Sequence, residues 1–432
     1  MPWPLFIIAA LQSRVGVGVF LCSSIDDLQP RTMCLPMDVH AVRSDFPALD
    51  NYIWFQNGGV SITPTPVAEA HIGYMNELLQ RGPMHIIYPE EEEPRREQTM
   101  QCLADFFSVS PGELALMRGV SEAFQTVLRG LTWNAGDELI ISSDEEAALL
   151  LPVLHLRDQQ GVQITKLPVM HDPADQLLWL EEHISEKTRL LAISHVTTDF
   201  GVRLPVSRLC AHAREKGVLT FVDLAHSAGL FPIALSDLNC DFAGLLSYKW
   251  MYAPYASGLL YVDPHKLNTL DIKYAGGRSE QWLDFEQDGY ELKDTAGRFQ
   301  YGPWSWPLVH AWADATRYLE NIGIDDIWKR TTSLTDQLKA SLTNIEGVTL
   351  HTPLCAEQSA SLVSFSVEGY TGEQLAELLL KQWNMIVKPL PHTREGLRIS
   401  IPFFNLDTEI NLLIEAIRSL ASGEWTDLSD LK

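Results

Sequence analysis

Positive charge is what this chain most lacks. Only 32 Lys and Arg stand against 56 Asp and Glu, a formal net charge of −24. No Lys/Arg cluster offsets that balance, so neither nucleic acid nor an anionic membrane face is an expected partner. Cysteine is scarce as well. The six, at 22, 34, 102, 210, 240 and 355, form no Cys-x-x-Cys pair and no metal-ligand spacing with histidine. That pattern excludes a zinc site, and scattered thiols in so long a chain imply a reducing, cytoplasmic setting. Long hydrophobic runs are missing too. The apolar opening "PWPLFIIAALQSRVGVGVFLC" is interrupted by Gln12, Ser13 and Arg14 and lacks the basic start of a secretory signal, so no membrane association is expected. Residues 1–36 read as a weakly ordered extension, with globular sequence beginning near Met37. Repeats and low-complexity tracts are absent.

What is present is a hydrophobic fraction of 46%, enough for more than one core. From about 100 to 265, short apolar runs alternate with segments of helical period. The runs are "DELIIS" (137–142), "VQITKLPV" (162–169), "RLLAISHV" (189–196), "VLTFVD" (218–223), "FAGLLS" (242–247) and "SGLLYV" (257–262). Near-continuous apolar strands are expected to be buried on both faces, and the alternation predicts a doubly wound α/β domain with a mostly parallel sheet. Between two runs, Pro205 opens and Gly217 closes a helix with Val206, Leu209, Cys210 and Ala213 on one face. After about residue 300 a long helix leads into strands "SLVSFSV" and "GLRISI" and helices near 372–383 and 407–421, a smaller α+β unit. The expected division is therefore 37–300 for the large domain and 301–432 for the small one. The acidic run "PEEEEP" (89–94) reads as a solvated surface loop.

One lysine stands out. Lys249 lies in "FAGLLSYKWMYAPYASGLLYVD", flanked by Tyr248 and Trp250 in an otherwise apolar and aromatic stretch. Its stem can pack on those rings while the ammonium snorkels to water. Alternatively it is buried, and a desolvated lysine is a nucleophile towards carbonyls.

Four further features fall where a doubly wound sheet places its ligands, at the carboxyl ends of the strands and the cleft they face. Asp223 ends the strand "VLTFVD", where it either caps a following helix or faces a ligand. A lysine and an aspartate on neighbouring strand ends suit pyridoxal phosphate (PLP), the aspartate keeping the pyridine nitrogen protonated. In "MRGVSEAFQTVLRGL" (117–131), Gly119, Val120 and Ser121 open a helix whose free N–H groups suit a phosphate. His226, three residues after Asp223, is either a structural helix residue or a contact to the cofactor. Arg398, inside the apolar strand "GLRISI", needs an anion: an internal ion pair, or a substrate carboxylate held by both prongs of the guanidinium.

Together these segments resemble the class V aminotransferase family of PLP enzymes, fold type I, which includes cysteine desulfurases, isopenicillin N epimerase-like proteins and cysteine C–S lyases. The resemblance runs from about 43 to 420, through "FQNGGVSITPTPV", "GVSEA", "SHVTTDFGVRLPV", "VDLAHSAG", "SYKWMYAPYASGLLYV" and "LRISIPFFNLDTEI". It implies that Lys249 forms the Schiff base and Asp223 pairs with the pyridinium. His226 and Thr198 become cofactor contacts, Ser121 and Tyr248 phosphate ligands in the turn begun by Gly119 and Val120, and Asn57 and Arg398 substrate ligands. It also implies a homodimer with active sites at the subunit interface.

Three positions depart from the family pattern. Glu146 stands where many members stack a histidine or an aromatic on the pyridine. Leu246 replaces a phosphate-binding serine three residues before the lysine, leaving Ser247 as the nearest hydroxyl and a candidate cofactor contact. Pro303 stands where a threonine reaches the other subunit's phosphate. The loop before the arginine strand, "MIVKPLPHTREG", carries no cysteine, and Cys355 lies far upstream. The expected function is thus PLP chemistry at Cα of an amino acid or amine (transamination, epimerisation or C–S β-elimination) without persulfide-forming desulfuration. The residues also admit a PLP-binding protein that has lost catalysis, or a phosphate-ligand-binding α/β protein without PLP.

Overall fold

Seven short strands make the central sheet: Leu114–Met117 (β1), Glu138–Ser142 (β2), Gln163–Leu167 (β3), Thr188–Ser194 (β4), Leu219–Asp223 (β5), Phe242–Leu246 (β6) and Gly258–Val262 (β7). The computed structural model describes residues 37–170, 172–391 and 394–423, so the expectation for 1–36 lies outside the described residues. The spatial order is β1-β7-β6-β5-β4-β2-β3, and only β7 runs against its neighbours. β6 and β7 are buried along their whole length, which is why their sequences are continuously apolar rather than alternating.

Helices Thr65–Arg81 (α1), Pro89–Phe106 (α2), Val120–Gly130 (α3), Ala147–Gln160 (α4), Pro173–His183 (α5) and Val206–Glu215 (α6) belong to this part of the chain. Separate hydrophobic clusters cover the two faces of the sheet. One is built on Leu116, Ile140, Leu191, Ile193 and Val222, the other on Met117, Leu139, Ile141, Ala192 and Phe221. The alternation of these positions along β2 and β4 is the period-two geometry of a strand. A hairpin, Glu280–Asp284 (β8) and Gly289–Leu292 (β9), follows the sheet.

Two long helices, Trp306–Ile322 (α7) and Ile324–Leu342 (α8), lead to a C-terminal domain. Its strands Val348–Leu350 (β10), Leu362–Val367 (β11), Lys388–Pro389 (β12) and Leu397–Ser400 (β13) pair antiparallel in the order β10-β11-β13-β12. Gly372–Trp383 (α9) and Asp407–Ser422 (α10) complete it, contributing Leu375, Leu379, Ile410, Leu413 and Ile417 to a third apolar cluster. The doubly wound sheet with its smaller C-terminal domain is the architecture expected from the alternation of runs. Before α1, Ile53–Trp54 pairs with Met385–Ile386, and the Ser400 N–H donates to the Phe55 carbonyl at 2.7 Å. The segment around Asn57 is thereby tied to the end of β13.

Two local expectations are corrected. The acidic run is the first turn of α2, not a loop: Pro89 opens the helix, and Glu90, Glu91 and Glu92 lie at its positive end. Glu92 is buried and accepts from Arg96 at 2.8 Å. The segment after Asp223 is a turn rather than a helix, so Asp223 caps no helix and His226 is not helix-borne.

Candidate active site

Lys249 follows the end of β6 and is buried, with 6% of its surface exposed. Its Nζ lies 3.3 Å from Nε2 of His226, a buried histidine whose Nδ1 has no hydrogen-bond partner. Burial pushes the ammonium down to about 8; Arg398 and Lys388 push the same way, while Glu146 and Asp223 oppose them. Burial, followed by Lys249, also holds His226 well below its usual range, so the imidazole is neutral at physiological pH. Gly229 fixes the approach of these two segments. At φ +87° it occupies the region that favours glycine, and a Cβ there would stand 2.3 Å from the Trp250 carbonyl oxygen.

Asp223 ends β5, in parallel register with Gly244 of β6, so aspartate and lysine emerge from adjacent strands. One carboxylate oxygen accepts from the Ala225 N–H at 2.7 Å. Burial raises the carboxyl to about 6, against the opposing pull of that N–H and of Lys249. Facing both is the N-terminus of α3, where no side chain caps the free N–H groups. Gly119 turns the chain there at φ +152°, and a Cβ on Gly258 would lie 2.5 Å from the Gly119 Cα. A cavity of about 880 Å³ is bounded by Gly119, Val120 and Ser121 on one side and by Asp223, Tyr248 and Lys249 on the other.

Arg398 is not among the residues that bound this cavity; it is the cross-strand partner of Lys388, which is, and none of its own surface is exposed. Nη1 donates to the Thr198 carbonyl at 2.7 Å, whereas Nε and Nη2 are buried without a partner. A Cβ on Gly58 would stand 2.7 Å from the Ser400 hydroxyl and 3.3 Å from Nη2, so glycine lets the Asn57–Gly58 backbone pack against the end of β13 and the guanidinium. The Thr198 hydroxyl donates to Glu146 at 2.8 Å and lies 3.4 Å from His226 Nε2. Burial pushes the Glu146 carboxyl up, but Lys249, Lys388, the Thr198 hydroxyl and Arg398 together hold it down at about 2.

An amine with a substantial neutral fraction, a carboxylate on the adjacent strand, an open helix N-terminus and two orphaned guanidinium nitrogens form a seat that fits PLP and an amino acid. The family model for aminotransferase class-V matches residues 53–413. The chain belongs to that family.

A probable cysteine desulfurase of Methanothermobacter thermautotrophicus is 25% identical over 401 residues, covering 89% of this chain and 98% of the relative. Isopenicillin N epimerase of Streptomyces clavuligerus is 28% identical over 344 residues, covering 76% and 84%. Among solved structures, that of the cystine C–S lyase C-DES with its reaction product cysteine persulfide matches at a TM-score of 0.79 and 25% identity, over 86% of this chain and 99% of that one. A second C-DES structure carries glycine covalently linked to the PLP cofactor. This class-V aminotransferase family member is a PLP-dependent enzyme, which rules out a phosphate-binding protein without PLP.

The expectation of a function without persulfide-forming desulfuration is overturned. Several relatives are named cysteine desulfurase, and C-DES is solved with a persulfide product. That residues 385–396 carry no cysteine does not outweigh these findings.

Gly119, Val120, Ser121, Asp223, Tyr248 and Lys249 all line the one cavity, with Thr198 and His226 connected to it through Glu146 and Lys249. Ser247 is not among them. Its hydroxyl donates to the Pro254 carbonyl inside the turn after β6, because alternation along the chain turns it away from the face that Leu246 and Tyr248 share. Asn57 lies beneath the lysine, donating to the Lys249 carbonyl at 3.4 Å, with its Oδ1 unpartnered. Pro303 is exposed and lines a different depression. Sequence reasoning missed Lys388, which lines the cavity and pairs across the sheet with Arg398. Only the β12–β13 register reveals it.

Proposed function

We propose that this protein is a PLP-dependent carbon–sulfur lyase of the desulfurase type, taking an L-cysteine-derived amino acid and passing its sulfur on as a persulfide. The observation that carries it is the convergence of Lys249, Asp223 and the α3 N-terminus on one cavity, with the free N–H groups of Arg398 on the strand beside Lys388. When bound, PLP supplies the electron sink that makes the Cα proton acidic. Lys249 Nζ, titrating near 8, takes and returns that proton. Asp223 would pair with the ring nitrogen, the α3 N-terminus and Tyr248 would hold the phosphate, and Arg398 would orient the substrate carboxylate. Thr198, His226 and Asn57 position Glu146, Lys249 and the lysine backbone. With cysteine and an acceptor thiol the balanced outcome is alanine and the acceptor's persulfide.

A disulfide substrate is the second reading. Among the described cysteines, 102, 210, 240 and 355, none lines the cavity, which supports a substrate that carries its own second sulfur. The C–S lyase named among the structural neighbours, whose name gives cystine as its substrate, supports the same reading. Cystine and water then yield pyruvate, ammonia and cysteine persulfide: the Cβ–S bond breaks, and its electron pair leaves with the sulfur.

The same proposal includes a homodimer, supported by exposed apolar side chains Ile72, Met75, Leu79, Ile86 and Ile87 on and after α1. It includes a domain boundary near residue 300, supported by the two separate sheets. A cytoplasmic setting is supported by the unpaired cysteines. Among the described residues no helix is long and apolar enough to cross a membrane. The test is to supply purified holoprotein with L-cysteine and dithiothreitol, or with L-cystine alone, and to quantify persulfide, alanine and pyruvate. Sulfur release with a matching keto acid or alanine is expected. Racemised or transaminated amino acids without sulfur release would overturn the lyase reading.

A further inference from the structure

A one-headed amino acid brings one carboxylate, yet two cations stand side by side at this site. Lys388 and Arg398 are direct cross-strand partners on β12 and β13 and therefore share a face of the sheet. Like charges so placed repel, and such a pair persists where anions come between or alongside. Arg398 keeps Nε and Nη2 free for the first carboxylate. Lys388 lines the cavity, and its nearest carboxylate is Glu146, at 3.6 Å, also on the cavity wall. Both side chains stay partly open to the cavity, 27% for the lysine and 31% for the glutamate.

Glu146 accepts from the Thr198 hydroxyl at 2.8 Å, faces Lys388 at 3.6 Å and still lines the cavity. An adjacent cation and anion, both reachable from the cavity, are complementary to a zwitterion: carboxylate to lysine, ammonium to glutamate. Cross-strand neighbours stand about 5 Å apart at Cβ, so both long cationic side chains start close enough to reach the two ends of one ligand.

Resting on the lyase reading, we propose that Glu146 and Lys388 are specificity-determining residues that bind the distal amino-acid head of a disulfide substrate while Arg398 binds the proximal one. The proximal half is cleaved, and the distal half leaves with both sulfurs as cysteine persulfide. No thiol of the enzyme enters the balance.

Steady-state kinetics of wild-type holoenzyme and of Lys388→Gln, Lys388→Arg and Glu146→Gln with cystine and with cysteine test this. Lys388→Gln and Glu146→Gln should each raise KM for cystine at least tenfold more than KM for cysteine, and Lys388→Arg should restore most of the difference. Equal effects on the two substrates would overturn the proposal and leave a simple ion pair between β12 and the start of α4. A binding arm separates this failure from that of the lyase reading. Lanthionine, a two-headed thioether, should raise the melting temperature of wild-type holoenzyme more than S-methylcysteine does, and Lys388→Gln should abolish that excess. If wild type cleaves neither sulfur substrate, the lyase reading falls. The lanthionine excess then still supports distal-head recognition, and its absence overturns it.

Discussion

Lys249 Nζ and His226 Nε2 stand 3.3 Å apart, both in side chains almost wholly removed from water. Two cations cannot share that space, and burial drives both groups towards their neutral forms. The pair therefore holds at most one ionising proton, and it resides on the lysine. His226 accepts at Nε2, which assigns its own proton to the unpartnered Nδ1.

This relationship sets the pH dependence of cofactor capture. Only neutral amine attacks a carbonyl, so capture should rise with pH through about 8, where half of Lys249 is deprotonated, and level off roughly one unit higher. At pH 7.5 roughly a quarter of the protein carries the neutral amine, against about one part in a thousand for an ordinary lysine. Stopped-flow measurement of PLP uptake by apoprotein should give a midpoint near 8. A midpoint above 10 would mean the lysine is solvated. Lys249→Ala should acquire no cofactor mass after borohydride treatment.

Asp223 trades stability for chemistry. Its folded-state carboxyl titrates at about 6, against about 4 in an unfolded chain, so between those values the folded state holds more protons. Ionisation then costs the cofactor-free fold up to roughly 3 kcal/mol, fully above pH 6 and not at all below pH 4. Asp223→Asn keeps an acceptor for the Ala225 N–H and should raise the melting temperature of apoprotein at pH 7.5, with no gain at pH 4. Turnover should fall at least a hundredfold. An unchanged melting temperature at pH 7.5 would show that the carboxylate is solvated or paired.

Gly229 is a backbone requirement with a catalytic consequence. Gly229→Ala forces a Cβ against the Trp250 carbonyl, 2.3 Å away, at a φ that alanine rarely adopts. A loss of about 2 kcal/mol or more is expected in denaturant unfolding. Because Trp250 follows Lys249 directly, relief of the clash moves the lysine, and the pH midpoint of cofactor capture should shift upward. Wild-type stability together with a wild-type midpoint would remove Gly229 from this role.

The chain disclosed its large sheet well because β4 to β7 are buried on both faces, and burial writes itself as uninterrupted Leu, Ile, Val, Phe and Ala. It disclosed Lys249, Asp223 and the α3 turn for a related reason: a charge or a glycine is conspicuous where everything around it is apolar. β1 was silent, since "LALM" is short and carries no period. "PEEEEP" misled because its helical character depends on Glu92 reaching Arg96, a tertiary satisfaction that composition does not display. Ser247 misled because position along the chain does not give direction, and a one-residue displacement reverses the face. Lys388 was invisible because its meaning lies in β12–β13 register.

Arg398 offers the sharpest test of the substrate side. Its guanidinium spends Nη1 on the Thr198 carbonyl and keeps Nε and Nη2 unpaired, fully buried and close to Gly58. Unpaired buried N–H groups cost stability until a partner arrives, and an incoming carboxylate supplies that partner. Arg398→Lys preserves the charge but not the fork, so it should weaken substrate binding by about 2 kcal/mol, near thirtyfold in KM. Cofactor absorbance should be unchanged, since the phosphate seat lies at α3. If the arginine serves only the fold, through Thr198, the outcomes reverse: the melting temperature drops and KM holds. Both measured on one preparation of Arg398→Lys decide the matter. A stable variant with raised KM places the carboxylate on Arg398, and an unstable one with wild-type KM removes it from the substrate site.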